Sequence, residues 1–331
     1  MSYENFKEKV YERLINYKKE ILEKKGVVVS ADDDNPFFPK PYCDEKIPVM
    51  IYEGIKKTVE GIQKSKFAYK PHRFASHVAS SQTACLNLFV QILESEHADQ
   101  ILIQSGVAPE GFDRIDRDQL RNGYCFEYWE SSIAGPKGLL GDHSRAAGTD
   151  SDVAIAYRDK DNKLCLWLIE HKLTERDFTT CGGYRSDNIS LSEKEFCTSC
   201  GIKDLMKDHD KCYYHKHCHY LYWDIMDKHA SFFSGKYEGK GCPFRGGMNQ
   251  LWRNQMLALE LEENKRFEEV YFSVVTHPEN TFLDKRMNQY RDLINHFPKF
   301  FAFKSTDLLN AAASYLPDWT KWYRRVYLGI E

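Results

Sequence analysis

Residues 151–172 read SDVAIAYRDKDNKLCLWLIEHK, and the arrangement of the whole chain follows from their spacing. Two apolar runs, SDVAIAYRD and KLCLWLIEHK, flank the polar turn Lys160-Asp161-Asn162, a pattern with good hairpin chemistry. With a period of two, Leu164, Leu166, Leu168, Glu170 and Lys172 share one face of the second strand. Cys165, Trp167, Ile169 and His171 share the other. Both faces stay apolar until the last residues, so this strand is expected to be central and covered on both sides. Glu170 and Lys172 then emerge together, and Asp152, which begins the first strand, is placed near Glu170 at the open end of the hairpin.

That corner has a chemistry. Burying an acid and a base at the end of a core strand costs free energy unless each has a partner. A divalent cation and a phosphate would supply both. Neighbouring carboxylates repel, and a hard cation such as Mg²⁺ relieves the repulsion through oxygen ligation. The ion polarises a phosphate and lowers the pKa of a bound water, while Lys172 would orient that water or neutralise developing charge. The bland alternative is a surface ion pair ending a strand, since short D…ExK patterns arise by chance. The wholly apolar lead-in, the polar turn and a further acid upstream favour the chemical reading. Asp150 is a rival to Asp152, which is preferred because the apolar strand begins there.

Upstream of the hairpin the pattern is helical. Residues 3–25 repeat Phe6, Val10, Leu14, Tyr17 and Ile21 at helical spacing before Gly26. A Pro-rich connector over 32–48 includes NPFFPKPY. Two further helices are expected over about 50–65 and 72–96. YCFEYW (124–129) reads as a short strand. Downstream, residues 175–245 form a Cys- and His-rich insertion, 246–264 a helix and EVYFSVVT (269–276) a buried strand. The tail over 283–327 reads as two or three helices broken at Pro298 and Pro317. The expected fold is therefore α/β, a mixed central sheet flanked by helices. Residues 1–100 are read as a helical region packed on a core formed by 101–331.

The chain has 331 residues, 42% hydrophobic and 29% charged, with a formal net charge of -3. So mild an acidity does not advertise a nucleic-acid partner, although a local basic groove can coexist with it. No apolar run approaches the roughly 18–20 residues that span a bilayer, and the start, MSYENFKEKVYERL, lacks a secretory apolar core. A cytoplasmic protein with no membrane partner is expected. The chain lacks a P-loop, a Rossmann glycine fingerprint and a GxSxG elbow, which argues against nucleotide hydrolysis and serine-hydrolase chemistry.

Of ten cysteines, Cys181, Cys197, Cys200, Cys212, Cys218 and Cys242 fall within the insertion. Cys43, Cys85, Cys125 and Cys165 are scattered and expected simply to be buried. Cys197, Cys200, Cys212 and Cys218 suggest a structural zinc site, with His209, His215, His217 and His219 as substitutes. Reduced thiols and an iron–sulfur cluster are the alternatives. The bases and aromatic rings between His209 and Trp223 suit either stacking on single-stranded nucleic acid or packing around the metal.

GTDSDVAIAY, the turn, then LWLIEHKLTE resemble the D…(D/E)xK core of the PD-(D/E)XK nuclease superfamily, in particular a bacterial restriction-endonuclease-like branch. SSQTACLNLF (80–89), FEYWE (126–130), MNQLWRNQMLAL (248–259) and FSVVTHPEN (272–280) also resemble that branch's blocks, in order, over roughly 70–300. The resemblance implies a restriction-endonuclease-like core in which Asp152 and Glu170 ligate Mg²⁺ (or Mn²⁺) and Lys172 is the catalytic lysine. It implies that Glu127 is the upstream acid and that Gln250 contacts metal-bound water or substrate. The HSRAAGTD loop before Asp152 is longer than the family's. The implied activity is phosphodiester hydrolysis, of DNA, in restriction, defence or repair. Symmetric cutting of a duplex would favour a homodimer. The competing readings are a non-cleaving nucleic-acid-binding member of the same fold and a zinc-stabilised scaffold protein. Some related nucleases hold iron–sulfur clusters with cysteines on both sides of the core, whereas here the group lies wholly between ExK and the Gln250 helix.

Overall fold

The computed structural model describes the chain except residues 31, 40, 41, 43–46, 131, 134, 145–147, 238 and 331. Cys43, part of the Pro-rich connector and part of the HSRAAGTD loop therefore lie outside the described residues. In chain order the main elements are α1 (Tyr3–Lys24), α2 (Lys56–Gln63), α3 (Ser81–Leu93), α4 (Ala98–Ser105), β1 (Phe112–Ile115) and β2 (Tyr124–Tyr128). The hairpin follows as β3 (Ser151–Asp159) and β4 (Leu164–Lys172). The insertion holds α5 (Leu191–Ser199), α6 (Ile202–Lys207), α7 (Tyr213–Lys216) and α8 (Tyr222–Lys228). The chain closes with α9 (Met248–Glu263), β5 (Glu269–Thr276), α10 (Asp284–Leu293), β6 (Phe300–Lys304), α11 (Ser305–Ala312) and α12 (Pro317–Tyr323). Among the described residues no helix is long and apolar enough to cross a membrane.

The six strands form one mixed sheet in the order β1-β3-β4-β5-β6, with β2 also pairing β3. β1 and β2 share the same edge of β3, at its end and its start respectively. β3 and β4 are antiparallel, whereas β4, β5 and β6 run parallel. β4 is thus central, as its apolar faces demand. Val153, Ile155, Tyr157, Cys165, Trp167 and Ile169 join the core beneath α1, α3, α4, α11 and α12. Ala154, Ala156, Leu166 and Leu168 join the opposite core with α8, α9 and α10. The polar group in the apolar part of β4 is met locally: the Trp167 indole N–H donates to Ser273 Oγ at 2.7 Å.

Three sequence expectations change. The helix expected over 72–96 begins only at Ser81, because Ser76 and Val78 pair their backbones with Phe38 and Pro36. Ser80 then caps the helix by accepting from the Thr83 N–H. Residues 300–304, expected to belong to a helical tail, form β6 instead, since their peptide groups complete a parallel ladder with Phe272–Thr276. β1 has no counterpart in the sequence reading; it is short, with polar Asp113 and Arg114 between Phe112 and Ile115.

Candidate active site

The corner forms where β4 ends beside β5, the carboxyl-end location at which α/β sheets usually bind ligands. Val153 pairs with Ile169, so the next position along the ladder sets Asp152 beside Glu170. On the other side, Phe126 pairs with Val153 and Tyr128 with Ser151, which puts Glu127 beside Asp152. Three acids therefore sit abreast on three neighbouring strands. Glu127 has a left-handed backbone (φ 51°), an unfavourable conformation for a non-glycine residue inside a strand.

Glu170 is 2% exposed and Lys172 7%. Lys172 Nζ lies 2.8 Å from Glu170 Oε1, and the ammonium also faces the Phe178 ring at 5.7 Å. Helix α9 supplies the rest of the cradle. Gln250 Nε2 donates to Glu170 Oε1 and Asn254 Nδ2 to Glu170 Oε2, both at 2.8 Å. The Gln250 amide is itself held, its Oε1 accepting from the Thr179 N–H at 3.0 Å. Asp152 Oδ2 accepts from the His171 N–H at 2.6 Å. From the opposite side α3 contributes Gln82, which donates to Glu127 Oε1 at 2.8 Å. Ser81 donates to the His171 carbonyl at 2.9 Å.

These contacts shape the protonation. Burial first, then the neighbouring Glu170 and Glu127, push the Asp152 carboxyl well above its ordinary value; Lys172 and the His171 N–H oppose this. Burial, with Asp150 and Glu170 beside it, pushes Glu127 up to about 7 against the pull of Gln82 and Lys172. Burial disfavours charge on Lys172, yet Glu170, Glu175 and Asp152 outweigh it and hold the ammonium above its usual range. Mutual repulsion among closely held carboxylates is the electrostatic condition that a divalent cation relieves. Asp152 and Glu170, with Glu127 beside them, are the residues that could hold one; among the described residues the three carboxylates do not all gather within 4.8 Å of one another.

Asp150, the rival acid, pairs with a histidine, its Oδ1 lying 2.9 Å from Nε2 of His143, which stacks on Trp129 at 3.8 Å, while the Asp150 charge still reaches Glu127. Asp152, Glu170, Lys172, Glu127 and Gln250 thus share one corner. Asn254 and Gln82 were missed in the sequence. Asn254 lies four residues after Gln250, hence on the same helical face, a signal that was readable once Gln250 had been singled out. Gln82 carries no such local mark.

The family described as Restriction Endonuclease associating with ARP matches residues 12–328. The chain belongs to that family. No curated protein and no solved structure gives a significant match. Membership in this restriction-endonuclease family covers the hairpin, α9 and the insertion alike, so the cysteines are part of the family's span.

In this family member the cysteines are divided. Cys197 and Cys212 line a small void in the insertion, and its other two cysteines are Cys181 and Cys242. Cys200 and Cys218, which the sequence grouped with Cys197 and Cys212, do not line it. The pairing of Cys197 with Cys200 is natural by spacing; Cys200 follows α5 and stays within electrostatic reach of Cys197, Cys212 and Arg245. Cys85, Cys125 and Cys165 are buried free thiols. Tyr214, Tyr220, Tyr222 and Trp223 pack on one another or on Trp252.

Proposed function

We propose that this protein is a divalent-metal-dependent nuclease with a restriction-endonuclease-like, PD-(D/E)XK-type core, and that it hydrolyses phosphodiester bonds of DNA. The observation that carries this reading is the row Glu127, Asp152 and Glu170 on adjacent strands with Lys172 paired to Glu170 at 2.8 Å. Mg²⁺ or Mn²⁺ held by Asp152 and Glu170, with Glu127 beside them, would supply Lewis-acid polarisation of the phosphate and a more acidic water.

The chain's own residues do the remaining work. Lys172 keeps its proton because three acids surround it, so it is suited to neutralise negative charge as the phosphate is attacked. Gln250 and Asn254 fix both oxygens of Glu170, which removes rotamer freedom from a ligand before substrate arrives. A homodimer would suit symmetric cutting of a duplex, and restriction, defence or repair would employ such cutting.

The test is cleavage of plasmid and single-stranded DNA with and without Mg²⁺ or Mn²⁺. Lys172→Ala is expected to lower the rate by about 10²–10³-fold, as loss of one preorganised charge-stabilising donor does. Unchanged metal-dependent cleavage by Lys172→Ala would remove the lysine from this role, and absence of cleavage on both substrates by wild type would refute the nuclease reading.

A further inference from the structure

Four cysteines distant in sequence converge in the insertion: Cys181 after β4, Cys197 in α5, Cys212 just before α7 and Cys242 shortly before α9. Backbone bonds brace their approach. The Cys242 N–H donates to the Cys197 carbonyl at 2.8 Å, and the Cys181 N–H to the Arg245 carbonyl at 3.2 Å. Gly241 is required at this crossing, since a Cβ there would come within 2.6 Å of the Cys197 carbonyl. The remaining wall is largely aromatic, with Trp223, Phe244 and Trp252 prominent.

Two further observations point to an occupant. The void-lining residues Asn249, Trp223 and Trp252 are each 1% exposed. Neither amide atom of Asn249 has a hydrogen-bond partner among the described residues, nor has Trp252 Nε1, while the Trp223 indole N–H is turned toward the Cys212 sulfur. Buried donors left this way are costly unless something accepts from them. Backbone N–H groups are also turned toward the sulfurs: Tyr184 N–H donates to Cys181 Sγ at 3.4 Å, and the Tyr214 and His215 N–H groups address Cys212. Donors of this kind suit thiolates and inorganic sulfide, which accept hydrogen bonds and carry negative charge. Arg245 also lines the void and offsets part of that charge.

The spacing of the sulfurs bears on which centre they could hold. A single tetrahedral zinc with bonds of about 2.3 Å would draw its four sulfurs to roughly 3.8 Å of one another. Among the described residues, the group of three potential ligand atoms lying within 4.8 Å of one another is His209, His215 and Asp224. No three of these cysteine sulfurs come so close. A cubane spreads its thiolates further, because each binds a different iron at a separate corner. We infer that Cys181, Cys197, Cys212 and Cys242 ligate a [4Fe–4S] cluster that braces the insertion against the start of α9. Each thiol gives up its proton as its sulfur bonds to one iron, and the cluster arrives preassembled with its own sulfides. No redox step is involved. The cluster stands independently of the nuclease reading, because its test reads metal and sulfide, not cleavage.

The full chain is expressed with iron and an iron–sulfur assembly system and purified without oxygen. The expected product is brown, with a visible sulfide-to-iron charge-transfer absorption and roughly four irons and four acid-labile sulfides per chain. Cys181→Ser and Cys242→Ser are expected to lower iron content at least severalfold, whereas Cys200→Ser and Cys218→Ser retain it. Circular dichroism on all four variants separates loss of the cluster from loss of the fold. One zinc per chain without labile sulfide, a colourless iron-free protein, or iron lost from the Cys200 and Cys218 variants but kept by the other pair would each overturn the assignment.

Discussion

His171 and His277 show how tightly the corner is sealed. His171 lies between Glu170 and Lys172 but points to the opposite face, with Ser81 Oγ 3.0 Å from its Nδ1. Burial, reinforced by Lys172 and His277, lowers its pKa to about 3. His277 is lowered to about 4, again chiefly by burial, although the Tyr327 carbonyl accepting from its Nε2–H opposes this. An unfolded histidine titrates near 6.5, so below that pH the unfolded chain binds protons that the folded chain does not. Stability contributed by the neutral rings is full above pH about 6.5 and is lost as pH falls toward 4 for His277 and 3 for His171. Each ring adds a slope of up to about 1.4 kcal/mol per pH unit within its window. Urea unfolding across this range is expected to show that slope, and His277→Gln to flatten it; an equal slope in the variant would contradict the assignment. The same residues mark what was legible. Glu170 and Lys172 stood out because a strand's period of two puts them on one face. The burial of His171 against α3 arises from a contact ninety positions away in the chain, which no local pattern records.

At the level of elements, α9 matters because it meets β4 with two amides one turn apart. Gln250 and Asn254 together satisfy both oxygens of a carboxylate that is almost fully buried. Asn254→Ala strips one oxygen of its donor without offering water in its place, and it is expected to cost about 1–3 kcal/mol in urea unfolding. A change within error would mean that the Asn254 bond is dispensable. Long periodic segments were readable in the sequence: α1, the hairpin, α9 and β5 lie close to where their patterns placed them. The misread elements share a cause. β6 and β1 are short edge strands whose pairing partner, not their own composition, makes them strands. Residues 76–78 were read as helix because Val78 falls in phase with α3, while their hydrogen bonds go to the Pro36–Phe38 connector instead.

Across the whole molecule, the two ends of the chain are packed together. Arg13 of α1 donates to the Tyr327 carbonyl at 2.7 Å, the Trp322 indole N–H donates to the Tyr17 hydroxyl at 2.8 Å, and Arg325 pairs with Glu20 at 2.9 Å. Phe6, Val10 and Leu14 belong to the same apolar core as Trp167 of the central strand and Tyr323 and Tyr327 near the C-terminus. A helical region was expected at the N-terminus, but its partner was not readable, because α1 and α12 are separated by nearly the full length of the chain. Removing residues 1–100 would expose Tyr323 and Tyr327, each now at most 1% exposed, along with the part of the sheet face that α1 and α3 cover. Burying a large aromatic side chain contributes about 1.5–3 kcal/mol, and a domain's total stability is only about 5–15 kcal/mol. Residues 101–331 produced alone are therefore expected to lack native near-ultraviolet circular dichroism, and the full chain to lose near- and far-ultraviolet signals in one coincident urea transition. A shortened chain with a native near-ultraviolet spectrum, or two separated transitions in the full chain, would show that the helical region is an independent domain and that the corner holding Glu127, Asp152 and Glu170 does not depend on it.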